Sequence, residues 1–127
     1  MQTFEIIKKV TADDLDSLNH VNNVRYVQWV QDIAEKHWVH RASETVLNNH
    51  FWVVLSHHIQ YKQPAVLNDT VTIKTYVMNS EGVTSTRMVE FYKNDILLAK
   101  SETKWCFMNK TNLKPTRISE TIKNLFE

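Results

Sequence analysis

The sequence predicts an α+β fold, one antiparallel sheet curled round one long helix, and three observations predict it. A first segment alternates with the period of a strand, a second carries an apolar stripe that repeats every three to four residues, and four more segments have strand character. A helix with one apolar stripe needs one broad surface to cover it, and a curled sheet of five strands supplies that surface.

The elements follow in chain order. Phe4, Ile6 and Val10 recur at even spacing, so residues 3–10 read as a half-buried strand. Thr11 to Asn22 is rich in Asp and Asn, whose side chains bond their own backbone and favour turns, and reads as a loop. From Asn23 the period changes. Tyr26, Val27, Val30, Ile33, Ala34 and Trp38 form one face, while Arg25, Gln28, Asp32, Glu35 and Lys36 take the other, which predicts a helix to about Arg41. Asn22 is placed to cap it, because an Asn oxygen can accept from an otherwise unpaired first-turn amide.

A polar connection leads to strands over 51–61, 70–78, 83–93 and 96–108. Val53, Leu55, Ile59 and Tyr61 are expected on one face of the first, and Val71, Ile73 and Val77 on one face of the second. Pro64 and Asn68 mark the bend between those two. Asn79-Ser80-Glu81-Gly82 and Asn94-Asp95 read as turns, so the last three strands should form an antiparallel meander. Ser119 to Phe126 reads as a short terminal helix.

Bulk properties narrow the function. A length of 127 residues suits one domain, residues 1–127, with a core that needs no disulfide. Basic and acidic residues, 15 and 14, are scattered without a basic run, so nucleic acid is excluded as a partner. No stretch is long and apolar enough to span a bilayer, and MQTFEIIKKV does not read as a signal peptide, so the protein is expected in the cytoplasm, off the membrane. The lone Cys106 lies in an apolar strand segment and reads as a small buried hydrophobe.

Chemistry concentrates in Asp16-Ser17-Leu18-Asn19-His20-Val21-Asn22-Asn23-Val24-Arg25-Tyr26. A carboxylate, an imidazole and two amides stand just before a helix start. Free first-turn amides and the helix dipole can stabilise an oxyanion, and a nearby carboxylate can attack a carbonyl or activate water. That is apparatus for acyl transfer, although Asp and Asn are also ordinary residues of such loops.

The segment reads D-x-x-x-H-V-N-N-x-x-Y and resembles the hot-dog thioesterases of the 4-hydroxybenzoyl-CoA thioesterase-like superfamily, related to long-chain acyl-CoA and plant acyl-ACP thioesterases. Ile59 to Asp69 is similar to that family's strand, proline turn and acidic residue, and Lys114-Pro115 to its closing segment. The resemblance implies a hot-dog domain that hydrolyses acyl-CoA or acyl-ACP to acid and thiol. Asp16 would be nucleophile or general base, Asn23 would give its backbone amide to the oxyanion, and His20 would orient or polarise the carboxylate and its water. Asn22 and Tyr26 would contact substrate. It implies a homodimer or homotetramer, with sheets joined edge to edge and the site between subunits. Leu18 stands where D-x-N-x-H members have asparagine, and the chain has length for one hot-dog unit where the plant enzymes have two. Both departures lean toward a small acyl-CoA enzyme that pairs two subunits.

Other residues carry less. His37 and His40, three apart on the helix, and the adjacent His57 and His58 read as surface and packing residues, and neither a metal nor a cofactor is expected. Trp29, Trp38, Trp52 and Trp105 read as core or subunit interface. Lys62, Arg87 and Lys104 are cations within strand segments and could meet coenzyme A phosphates. A hot-dog dehydratase acting on 3-hydroxyacyl thioesters, a non-catalytic acyl-thioester binding module and a dimerisation module are the rival functions.

Overall fold

A computed structural model describes residues 1–127. The chain runs β1 (Thr3–Lys9), α1 (Asn23–Arg41), α2 (Glu44–Asn49), β2 (His50–Tyr61), β3 (Thr70–Glu81), β4 (Thr84–Lys93), β5 (Ile96–Asn109) and α3 (Glu120–Asn124). The strands form one five-stranded sheet in the order β1-β3-β4-β5-β2, every neighbouring pair antiparallel. β3, β4 and β5 make the expected meander, and β1 and β2 are its two edges. The fold is α+β, with the sheet curled over the apolar face of α1. No helix is long and apolar enough to cross a membrane.

The 3.6-residue period explains what α1 buries. Tyr26, Trp29, Val30 and Ile33 project onto the sheet and meet Val71, Ile73, Val89, Phe91 and Ala99 from β3, β4 and β5. Burying one such side chain completely, as Ile33 is, stabilises the fold by about 2 kcal/mol. Further along α1, Trp38 meets Phe107 of β5 and Ile122 and Phe126 of the terminal segment, which closes the other end of the sandwich. Ser119 caps α3 by accepting from the Ile122 amide at 3.3 Å.

Three sequence expectations change. β2 contains a bulge between Val54 and Ser56, so its inward residues shift phase. Trp52 pairs with Phe107, Val54 with Trp105, His57 with Thr103, Ile59 with Ser101 and Tyr61 with Ala99. Ile59 and Tyr61 therefore share a face with Trp52 and Val54, not with Val53. A second bulge after Val77 lets β3 run to Glu81, and the turn contracts to Gly82–Val83, with Gly82 at φ 62° where a Cβ would be strained. The polar connection after α1 contains α2, a helix of 6 residues capped by Ser43, too short to show a period of its own.

Candidate active site

The loop between β1 and α1 is held at both ends before it presents any chemistry. Asp14, buried in a short 3-10 turn, accepts from the Thr11 amide at 2.8 Å and pairs with Arg25 Nε at 3.3 Å. The Asp14 carbonyl accepts from the Asn22 amide at 2.8 Å, and the Ala65 carbonyl accepts from the Val21 amide at 2.9 Å. The loop is thereby tied to α1 on one side and to the β2–β3 connection on the other.

Between these ties Asp16 to His20 closes a tight turn. The Asp16 carboxylate accepts through Oδ1 from the Leu18 amide at 2.9 Å and the His20 amide at 3.2 Å. The His20 carbonyl accepts from the Asp16 amide at 2.8 Å, and Leu15 bridges Val21. Asn19 sits at φ 61°, a left-handed conformation that Asn adopts more readily than most residues. One carboxylate oxygen is thus fixed by main-chain donors, while Oδ2 makes no hydrogen bond to the chain. His20 holds Asp16 through its backbone, and its imidazole makes no hydrogen bond to the chain.

Helix α1 begins beside this turn. The Asn22 side chain accepts from the Val24 amide at 3.0 Å, and the Asn22 carbonyl accepts from the amides of Arg25 and Tyr26 at 2.9 and 3.4 Å. Of the first-turn donors, only the Asn23 N–H is left unengaged. It is a main-chain donor at the positive end of a helix of 19 residues.

Asp16, His20, Asn23 and Tyr26 line one cleft of about 260 Å³, whose opposite wall is Tyr61, Lys62, Gln63 and Pro64. The amides of Lys62 and Gln63 are anchored on the Leu98 carbonyl at 2.8 and 3.1 Å, next to a bulge between β4 and β5. The Tyr26 ring stacks edge-on against Trp29, Tyr61 and Phe91, and its hydroxyl is buried without a hydrogen-bond partner. Burial, reinforced by Tyr61 and Asp69, pushes that phenol up to about 12, so it stays a neutral donor. Asn22 does not line the cleft, because its side chain is spent on the cap. The β2 end had its strand and proline turn visible in the sequence, and Pro64 was the signal that a wall turns there.

The remaining cations and histidines lie elsewhere. Arg87 is buried under the sheet, where Nη1 donates to His37 Nδ1 at 2.8 Å and to Thr75 Oγ1 at 3.1 Å. His57 Nδ1 is 2.7 Å from Thr103 Oγ1. A second and larger cleft, about 390 Å³, opens between the later part of α1, α2, α3 and the sheet, and shares no wall residue with the first. Trp38, Trp52 and Trp105 line it, whereas Trp29 belongs to the main core.

Solved structures share this fold from end to end. A probable thioesterase from Escherichia coli, YbaW, superposes with a TM-score of 0.86 at 21% identity, over 95% of this chain and 94% of its own. A thioesterase from Thermus thermophilus, complexed with coenzyme A and Zn, gives 0.84 at 18% identity, over 96% and 90%. Slr0204 from Synechocystis, a 1,4-dihydroxy-2-naphthoyl-CoA thioesterase, gives 0.82 at 14% identity, over 98% and 95%. No curated protein matches the sequence. The hot-dog architecture is therefore shared with thioesterase structures, and since the family model of the thioesterase-like superfamily matches residues 10–126, the chain belongs to that superfamily.

Proposed function

We propose that this protein is an acyl thioesterase that hydrolyses acyl-CoA, or the acyl thioester of a carrier protein, to free acid and thiol. One observation carries the reading. A carboxylate oxygen without a partner, an unengaged helix N-terminal amide and a buried hydroxyl without a partner belong to residues lining one cleft, those of Asp16, Asn23 and Tyr26. Coenzyme A in a neighbour's complex and the naphthoyl-CoA thioesterase activity of another support a coenzyme A thioester as the substrate.

Each group has a task in that reaction. As general base, Asp16 takes a proton from water while the water oxygen attacks the thioester carbonyl. As nucleophile, it forms a mixed anhydride that water then opens. On either route the carbonyl oxygen becomes an oxyanion that accepts from Asn23 N–H, and collapse breaks the C–S bond and releases the thiolate, which takes up a proton. Tyr26 donates to an acceptor on the bound thioester. His20 contributes main-chain bonds that aim Asp16, and as a residue of the same cleft wall it is a contact for substrate or water. Asn22 acts by fixing the first turn of α1.

The working unit we infer is a homodimer, formed through the β2 edge and able to pair again as a tetramer. Tyr61, at one end of β2, walls the Asp16 cleft, and His50, Phe51 and Trp52, at the other end, wall the larger cleft. The two ends lie roughly 30 Å apart along the strand. Antiparallel pairing of β2 with a second copy brings the Asp16 cleft of one chain beside the larger cleft of the other.

The test is release of free thiol from short, long and aromatic acyl-CoA substrates, comparing wild type with Asp16→Asn, which keeps the shape and removes the charge. Wild type is expected to hydrolyse part of the panel, and the folded variant to lose at least about a hundredfold in kcat. Hydration of a crotonyl thioester without thiol release would hand the site to dehydratase chemistry. Tight acyl-CoA binding with no turnover, on carrier-protein thioesters as well, would make it a binding module.

A further inference from the structure

Arg87 is a buried guanidinium with no carboxylate within ion-pair distance. It is 7% exposed, and it takes part in none of the ion pairs of the fold. Its two protein partners are neutral groups on one nitrogen, His37 Nδ1 and Thr75 Oγ1, both bonded to Nη1. The Phe126 ring covers the charge from one side at 5.4 Å. A guanidinium carries five N–H donors, and neither Nη2 nor Nε makes a bond to the chain.

The same residue forms part of the wall of the 390 Å³ cleft. Trp38, Trp52, Trp105, Leu47 and Phe126 make most of that wall apolar, and Glu35, its one acidic side chain, is exposed and forms no ion pair with Arg87. Trp105 adds a buried indole N–H that has no acceptor. A guanidinium with unused donors on Nη2 and Nε and an indole N–H without an acceptor thus belong to residues that wall one mostly apolar cleft. The buried indole N–H is costly without an acceptor and the guanidinium has donors to spare, so the ligand that serves both is an acceptor that arrives on an apolar chain.

The geometry points to this cleft as a receptor for a carboxylate at the far end of an acyl chain, with Arg87 and Trp105 as its anchors and ω-carboxyacyl thioesters as the preferred substrate class. The substrate part of this inference rests on the thioesterase reading. In the β2-paired dimer, an acyl group activated at Asp16 of one copy is directed toward the Arg87 cleft of the other, so the thioester end and the carboxylate end meet different walls. His37 is a positioning residue here. A guanidinium only donates, so Nδ1 must accept from it, and the ring proton sits on Nε2, 2.8 Å from Gln2 Oε1.

Two measurements test it. The first is the ratio of kcat/KM for ω-carboxyacyl-CoA to that for methyl-ended acyl-CoA of the same length, in wild type, Arg87→Met, Arg87→Lys and Trp105→Phe. Wild type is expected to favour the carboxyl-ended substrate by about tenfold or more. The ratio should fall on the order of tenfold to a hundredfold in Arg87→Met, less in Arg87→Lys, and several-fold in Trp105→Phe. The second is binding of a long-chain alkanedioate, an alkanoate and an alkanol, read by quenching of tryptophan fluorescence and by calorimetry. Wild type should bind the alkanedioate at least about tenfold more tightly than Arg87→Met, and should bind the alkanol little.

Variants that slow both thioesters alike and leave alkanedioate binding unchanged would reduce Arg87 to a scaffold residue and overturn the inference. Alkanoate binding that depends on Arg87, with no preference between thioesters, would show that the carboxylate comes on a free acid, which overturns the substrate class. A protein that cleaves no thioester yet binds alkanedioate through Arg87 would defeat the thioesterase reading and leave the receptor standing. Trp105→Phe, which removes the donor and leaves a smaller aromatic ring, decides the matter if the Arg87 variants do not fold, with the methyl-ended substrate as the control for lost packing. A fall confined to the carboxyl-ended substrate supports the anchor, and an equal fall for both overturns it.

Discussion

His37 shows how one buried side chain sets a pH limit on the whole fold. The ring is fully buried between Arg87 and Gln2, and burial first, then the charges of Arg87, Arg41 and His40, lowers its pKa from 6.5 to about 3. The folded chain therefore keeps His37 neutral while the unfolded chain protonates it below about pH 6.5. Below that pH the unfolded state binds the extra proton, so stability falls with pH from about 6.5 until the folded ring itself protonates near 3. At pH 5 the loss is about 2 kcal/mol. His57, also held low by burial and then by His58, adds in the same direction. Denaturant unfolding at pH 7.5 and pH 5 checks this: His37→Gln, which can still accept from Arg87, should remove roughly 2 kcal/mol of the wild-type difference. A variant with the wild-type pH dependence would place the sensitivity elsewhere.

At the scale of elements, the start of α1 links stability to chemistry. Asn22 gives its side chain to the Val24 amide and its carbonyl to the next turn, and this leaves the Asn23 amide as the free donor. Asn22→Ala should cost about 1 kcal/mol of stability by thermal or denaturant melting, and Asn22→Asp should restore most of it, since both Asp and Asn cap well. If Asn22 instead touched substrate through its side chain, the alanine variant would raise KM and leave stability unchanged. The cap was legible in the sequence because an Asn directly precedes a clean helical period, and the face of α1 was legible from the same period. The Asp16 turn was legible as a loop, while the role of His20 in it, made by backbone atoms, was not. Periodicity also failed in β2, since the bulge between Val54 and Ser56 reverses which side chains face inward, and an extra residue in a strand leaves no mark on composition. Arg87 escaped for a related reason: among strand cations only the fold distinguishes a solvated residue from one buried beside a histidine of α1.

At the scale of the whole molecule, the sheet ends on two unpaired edges, and the edges differ. β1 is short and sets Glu5, Lys8 and Lys9 around its exposed Ile7, the kind of charge that discourages pairing, whereas β2 is long, holds no Asp, Glu, Lys or Arg, and exposes Val54, Leu55 and Tyr61. A long uncharged edge is a template for another strand, and an identical β2 in antiparallel register is the closed way to satisfy it. In a pairing centred on the middle of His50–Tyr61, residue 55 of each copy comes close to its counterpart. Leu55→Asp then sets two like charges near the twofold axis in a strand of low propensity for Asp. Light scattering at micromolar concentration should report a dimer or larger assembly for wild type and a shift toward monomer for Leu55→Asp, with thiol release falling in proportion to the dimer lost. Because each cleft would be completed by the other chain, a wild type that is monomeric and fully active would refute the shared site, and would require the acyl chain to find its whole path between α1 and the sheet of a single copy.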